Sequence, residues 1–155
     1  MLLAFDIGGT FIKYALVDEA YQVNDSSKVP TPATIEEFWE ALERVICLFQ
    51  NRITGIAISC SGEINSRLGF VFKGGLVPYL RNIPLASRLN KTFQVPVTVL
   101  NDGDAAGLAE ARIGNLQDCD CGATFVLGTG VGLALTSNGS LISTWNLKDY
   151  LRWPS

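Results

Sequence analysis

Twice, the chain runs an apolar strand into a glycine loop and out again into a second apolar strand. This repeated layout limits its fold more than any other feature. In the first copy, Leu2 to Phe5 and Phe11 to Val17 flank Asp6-Ile7-Gly8-Gly9-Thr10. The spacing predicts a β-hairpin with a glycine turn and Asp6 at the strand end. In the second copy, Ala123 to Leu127 and Leu133 to Thr136 flank Gly128-Thr129-Gly130-Val131-Gly132, and the turn Ser137-Asn138-Gly139 follows. An echo of this kind points to two related units.

The region between the copies supplies the layers that cover a sheet. Ile35, Phe38, Trp39, Leu42, Val45, Ile46 and Phe49 recur at helical spacing over 34 to 49, and Thr34 with Glu37 forms a capping box. Gly55 to Ser59 reads as a short buried strand that delivers the polar loop Cys60-Ser61-Gly62-Glu63. The stretch from Leu68 to Arg81 reads as extended loop, and Pro84 opens a short helix carrying Leu85, Leu89 and Phe93. Val95 to Leu100 is the next strand, running into Asn101-Asp102-Gly103-Asp104 and a small-residue helix from Ala105 to Ile113. Two crossovers imply a partly parallel sheet, hence an α/β fold. The expected organisation is a domain over residues 1–115 and the opening strands of a second over 116–155. About 40 residues are too few for a domain that stands alone. The segment Trp145 to Ser155 shows no clear pairing partner.

Composition narrows the function classes. In 155 residues, 48% are hydrophobic and 17% charged, enough apolar material for a core. Twelve Lys plus Arg against 15 Asp plus Glu give no broad electrostatic reason to bind nucleic acid. Apolar runs such as Val45 to Phe49 are far shorter than a membrane span, and the opening Met1-Leu2-Leu3-Ala4-Phe5 meets Asp6 without a preceding basic residue, so it makes a poor signal peptide. The expectation is a soluble, cytoplasmic protein without a membrane partner. Cys47, Cys60, Cys119 and Cys121 then read as reduced thiols. Cys119-Asp120-Cys121-Gly122 lacks the further ligands of a structural Zn²⁺ site, so no zinc is expected. The chain has no histidine, which excludes Ser-His-Asp and Cys-His catalysis and every His-ligated metal site.

The chemistry sits at the strand ends. Glycine admits positive φ and brings no Cβ against a phosphate, so the N–H groups around Gly8, Gly9 and Thr10 can converge on an anion, as can those of Gly128 to Gly132. One such loop is equally a tight turn. Two of them, each after an apolar strand, suit a nucleotide gripped from both sides, an arrangement for phosphoryl transfer. Asp6 could hold Mg²⁺ through water or simply satisfy turn N–H groups. Asp102 could be a general base or cap the following helix, and Asn101 shares that ambiguity. Phe38, Trp39 and Phe49 fall on the core stripe of a helix, where packing is the default.

At these residues the chain resembles the ROK sugar kinases of the actin-like ATPase and sugar-kinase superfamily, over nearly all of residues 3–141. DIGGTFIKYALVD, from Asp6 to Asp18, is similar to the first phosphate motif, and GIAISCSGEIN, from Gly55 to Asn65, to the segment lining the sugar cleft. GGLVPYLRNIPL, from Gly74 to Leu85, resembles the cleft loop of β-glucoside-kinase-like members. PVTVLNDGDAAGLAEA, from Pro96 to Ala111, resembles the segment with the catalytic aspartate, and LGTGVGLALTSNGSL, from Leu127 to Leu141, the second phosphate motif.

The resemblance implies a ribonuclease H-like (actin-like ATPase) fold: a mixed sheet with flanking helices, plus the first strands of a second similar domain. It implies ATP-dependent phosphate transfer to a hydroxyl of glucose or a related hexose or glucoside, by a kinase or a fragment of one. Asp102 is carried over as the base. Asn101, with Ser61, Gly62 and Glu63 nearby, is carried over for the sugar. Gly8, Gly9, Thr10, Gly128, Thr129 and Gly130 are carried over for ATP phosphates, and Asp6 for Mg²⁺ through water. Leu100 and Asp104 stand where relatives often have Glu and Asn, changes that bear on the sugar pocket. The Gly-Glu-x-Gly-His segment, cysteine-rich zinc motif and adenosine pocket that follow in the family are absent from these 155 residues. The chain thus resembles the first half of a ROK protein.

Three rivals stand beside a kinase. A ROK repressor carries a helix-turn-helix ahead of the kinase-like fold, for which the position of Asp6 leaves no room. A non-catalytic sugar-binding or regulatory relative is the alternative that the missing half makes serious. A ribonuclease H-like nuclease needs a carboxylate cluster that Asp6 and Asp102 do not supply. Unpaired strand edges in the second unit favour self-association through residues 123–141, and so a homo-oligomer.

Overall fold

The structure, a computed structural model, describes residues 1–128 and 131–142. The chain divides into two compact units, Met1–Asn101 and Asp102–Ser155.

The first unit is built on a five-stranded mixed sheet. Strands β1 (Leu2–Ile7), β2 (Phe11–Val17), β3 (Val23–Pro30), β4 (Gly55–Cys60) and β8 (Val97–Asn101) lie in the order β3-β2-β1-β4-β8. The first three are antiparallel, while β4 runs parallel to both β1 and β8. Alternation sends Leu3, Phe5 and Ile7 of β1 to one face beside Ile56, Ile58 and Cys60 of β4. Helix α1 (Ile35–Phe49) contributes Phe38, Trp39, Leu42, Val45 and Ile46 to the same core, and α2 (Leu85–Phe93) contributes Leu85, Ala86 and Leu89. The Thr34 hydroxyl accepts the Glu37 N–H at 3.3 Å, which starts α1 where the capping residues predict. Tyr79 donates its hydroxyl to the Pro32 carbonyl at 2.8 Å and stacks edge-on against Phe38, tying a loop to the helix.

Two parts of this unit differ from the sequence expectation. Strand β3 has no apolar alternation, because it is an edge strand with nearly every side chain in solvent. Its ladder to β2 is made by the backbone, with a register shift between Tyr14 and Leu16 and Asp25 at φ 48°. The stretch from Leu68 to Arg81 is not simply loop. Strand β5 (Gly62–Asn65), β6 (Phe70–Gly74) and β7 (Arg81–Ile83) form an antiparallel three-stranded sheet. Its core residues, Ile64 and Val71, are few and separated by the turn that holds Gly69, so the period-2 signal is too short to read.

The second unit carries helix α3 (Asp102–Ile113) and strands β9 (Cys121–Leu127), β10 (Val131–Ser137) and β11 (Ser140–Leu141), in the sheet order β11-β10-β9. The helix packs through Gly103, Gly107 and Ala111. A Cβ at Gly107 would stand 2.3 Å from the Ala134 Cβ, and one at Gly132 would stand 3.3 Å from the Gly103 Cα. Only small residues permit this approach of helix to strand. The segment Trp145 to Ser155 lies outside the described residues.

Candidate functional site

The parallel register Ile7–Cys60–Asn101 aligns the carboxyl ends of β1, β4 and β8 at one end of the first unit's sheet. Asp6, the loop Gly8-Gly9-Thr10, the turn Ser61-Gly62-Glu63 and Asn101 all emerge at this end, where α/β sheets bind ligands. The Gly8 N–H donates to the Phe11 carbonyl at 3.1 Å, so it closes the turn. The Thr31 hydroxyl donates to the Gly8 carbonyl at 2.6 Å, and the Thr31 N–H donates to the Thr10 carbonyl at 3.0 Å. No hydrogen bond among the described residues takes the Gly9 or Thr10 N–H. These two amides are therefore left unengaged by the turn's own hydrogen bonds.

Asp6 points to the sheet face opposite the core. Its Oδ2 accepts from the Lys13 Nζ at 3.2 Å, with both side chains at least half exposed. Lys13 escaped the sequence reading, although the hairpin register that pairs Asp6 with Lys13 is itself a signal. Thr31 escaped it because β3, which leads to it, carries no pattern. Around the ion pair lies a groove of about 710 Å³ lined by Ala4, Asp6, Lys13, Ala15, Ser27 and Ser59. Among the described residues no group of three or more Asp, Glu, Cys or His side chains forms a metal cage. One carboxylate, with waters and substrate phosphates completing the shell, is nonetheless the usual way a protein holds Mg²⁺, so Asp6 fits that ion.

The turn after β4 is tightly specified. Gly62 has φ +112°, and a Cβ there would lie 2.0 Å from the Lys73 carbonyl oxygen and 2.4 Å from the Gly75 nitrogen. The Ser61 hydroxyl oxygen accepts the Leu76 N–H at 2.9 Å, and the Gly62 carbonyl accepts from the Asn101 Nδ2 at 2.9 Å. Ser61, Gly62 and Asn101 are thus brought together by hydrogen bonds. Glu63 follows on β5, opposite Lys73.

In the second unit Asp102 opens α3, directly after Asn101 in the chain. Its Oδ1 accepts the Gly103 N–H at 2.9 Å. Burial, and then the Asp102 carboxylate, push the Asp104 carboxyl above the usual range. Gly128 follows β9, and among the described residues nothing lies within 4 Å of where a Cβ would stand. Thr129 and Gly130, expected to share phosphate binding with it, lie outside the described residues.

A mixed sheet with flanking helices is the arrangement of the actin-like ATPase fold, and solved ROK sugar kinases are this chain's structural neighbours. The ROK family model matches residues 2–146, and the chain belongs to the ROK family. It is 31% identical over 141 residues to a β-glucoside kinase of Listeria monocytogenes, covering 91% of this chain and 48% of that protein. It is 31% identical to an N-acetylmannosamine kinase of Shigella flexneri, covering 92% and 49%. The structure of a ROK glucokinase from Streptomyces griseus, solved with glucose and AMPPNP, matches with a TM-score of 0.78 at 28% identity, covering 91% of this chain and 46% of that one. The chain spans about half the length of the curated relatives it matches. Among the described residues no helix is long and apolar enough to cross a membrane.

Proposed function

We propose that the chain forms the part of an ATP-dependent sugar kinase that binds the sugar and one side of the nucleotide phosphates, with glucose or a related hexose or glucoside as acceptor. The observation that carries the reading is the Asn101–Gly62 hydrogen bond. It fixes the end of β8, and so the start of the segment Asn101-Asp102, against the turn after β4. In this reading Asn101, Ser61 and Glu63 hold sugar hydroxyls. Asp102 accepts the proton of the attacking hydroxyl at Oδ2 while Oδ1 stays on the Gly103 N–H. The Gly9 and Thr10 amides, with the backbone at Gly128, Thr129 and Gly130, hold the phosphates of ATP. Asp6 would hold Mg²⁺ through water, and the ion would neutralise phosphate charge. Lys13 keeps the Asp6 carboxylate oriented.

The test is a coupled ADP-release assay with Mg-ATP and a panel of glucose, N-acetylmannosamine and β-glucosides. It is run on the chain alone and with the unmatched remainder of the Listeria kinase supplied as a second polypeptide. Sugar-dependent release that falls at least about 100-fold in Asp102→Asn is the expected result. Sugar binding with no turnover in either form would replace the kinase by a non-catalytic sugar-binding relative.

A further inference from the structure

Of the chain's four cysteines, two stand one residue apart where the loop after α3 enters β9. Cys60 is buried at the end of β4, and Cys47 is exposed on α1. Cys119 and Cys121 are both exposed, with only Asp120 between them. Hydrogen bonds anchor the backbone around the pair. The Cys119 N–H donates to the Leu116 carbonyl at 3.2 Å, and the Asp120 carbonyl accepts the Asn138 N–H at 2.8 Å. Cys121 is the first residue of β9 and lies opposite Ser137 of β10, whose Oγ is 3.9 Å from the Cys121 Sγ. Between the two thiols the chain bends at Asp120.

Two residue steps span at most about 7 Å when the chain is fully extended. A bend at the middle residue shortens that span into the range of about 4.4–6.8 Å that a disulfide needs between its Cα atoms. Both side chains are exposed, so their rotamers can turn toward one another while the anchored backbone stays in place. Closing so short a loop removes little entropy from the unfolded chain, so the bond would be a poor structural staple. Exposed disulfides of this kind are the readily reduced ones. A metal suits the pair less well. Structural zinc takes four ligands, and among the described residues no third ligand joins the two thiols.

We infer that Cys119 and Cys121 form a reversible oxidation site, a dithiol that a hydroperoxide converts into an intramolecular disulfide. Cys119 lies in the loop, and its sulfur makes no hydrogen bond among the described residues, so its thiolate is the one that attacks. The attack breaks the O–O bond, leaves one oxygen on Cys119 as a sulfenic acid and releases the other as water or an alcohol. The Cys121 thiol then attacks that sulfur. The S–S bond forms, the S–O bond breaks, and the hydroxide leaves as water with the thiol proton. The two sulfurs give up two electrons, and the peroxide takes them. Asp118 and Asp120 flank the thiols in sequence, and their charge repels an anionic oxidant such as glutathione disulfide, which favours a neutral hydroperoxide. The bond would tie the loop after α3 to the first residue of β9, and a thiol reductant would release it. The inference holds whether or not the chain turns over sugar.

The test treats the fully reduced 155-residue chain with hydrogen peroxide, blocks the remaining thiols with iodoacetamide, and reads the tryptic peptides by mass spectrometry. Cleavage after Arg112 and Lys148 leaves Cys119 and Cys121 in one peptide and Cys47 in another. The peptide 113–148 should lose two hydrogens and take up no blocking group, and dithiothreitol should restore both thiols. Cys47, exposed but with no cysteine beside it in sequence, should gain oxygen instead. Cys121→Ser should stop the reaction at the sulfenic acid, captured on Cys119 by dimedone, and Cys119→Ser should abolish the loss of hydrogen. Both substitutions fall at exposed positions, so both variants should stay folded, which circular dichroism checks. Oxygen retained on Cys119 or Cys121 of the parent without an S–S bond would overturn the inference. So would a disulfide that joins two chains or recruits Cys47, or a loss of hydrogen that Cys119→Ser leaves unchanged.

Discussion

Replacing Gly62 by alanine tests how the turn after β4 holds the candidate site. At φ +112° the backbone lies in a region that L-residues rarely enter, at a cost of about 1–3 kcal/mol. The added Cβ would also fall 2.0 Å from the Lys73 carbonyl oxygen and 2.4 Å from the Gly75 nitrogen. Both are backbone atoms of the paired strand and its turn, so no rotamer change relieves the overlap, and overpacking adds about 1–3 kcal/mol. The combined loss is about 2–6 kcal/mol. Even about 2 kcal/mol would move a urea midpoint down by about 1 M at a slope of about 2 kcal/mol per M. Gly128→Ala is the matched control. It too is a loop glycine of the proposed site, but among the described residues its Cβ would meet nothing within 4 Å, so its stability should change by less than about 0.5 kcal/mol. Urea unfolding followed by far-ultraviolet circular dichroism measures both. If Gly62→Ala costs less than about 1 kcal/mol, or Gly128→Ala costs as much, the geometric reasoning fails. Where Gly62→Ala remains folded, sugar affinity should fall, since the carbonyl that holds Asn101 belongs to the displaced residue.

Removing the helix cap with Thr34→Ala should cost about 1 kcal/mol in the same urea experiment, because the Glu37 N–H loses its acceptor. Tyr79→Phe should cost about 1 kcal/mol for the hydrogen bond to Pro32. Burial, and then the Glu37 carboxylate, raise the Tyr79 phenol, so its ultraviolet titration should run to higher pH in the folded than in the unfolded protein. Asp104 has a carboxyl raised mainly by burial, so the folded state binds its proton more tightly than the unfolded state. Its contribution to stability is complete below the unfolded value of about 4 and is lost as pH rises through the folded value. Asp104→Asn should flatten that slope, and a midpoint-against-pH curve identical to the parent's would refute the assignment.

What could be read from the sequence follows the strength of each local signal. Thr34 and the apolar residues from Ile35 to Phe49 specify α1 because cap and period agree. The parallel placement of β4 and β8 follows from helices intervening between short buried runs. Strand β3 was invisible because an edge strand held by its backbone needs no apolar side chains, and β6 because five residues, Phe-Val-Phe-Lys-Gly, are too few and too uniformly apolar at the start to show an alternation. The loss of β3 carried Thr31 with it, so the side chain that grips the Gly8 carbonyl could not be named in advance.

Helix α3, expected from Ala105 to Ile113, spans Asp102–Ile113. Gly103, Gly107 and Ala111 make its contact by being small, and a stripe without bulk does not say which sheet it serves. For β9 the local reading and the structure agree on a strand, and among the described residues its Phe125 and Leu127 stand largely exposed on one face. A sequence encodes the demand for a covering layer in the strand itself. Whether the layer is present depends on other residues.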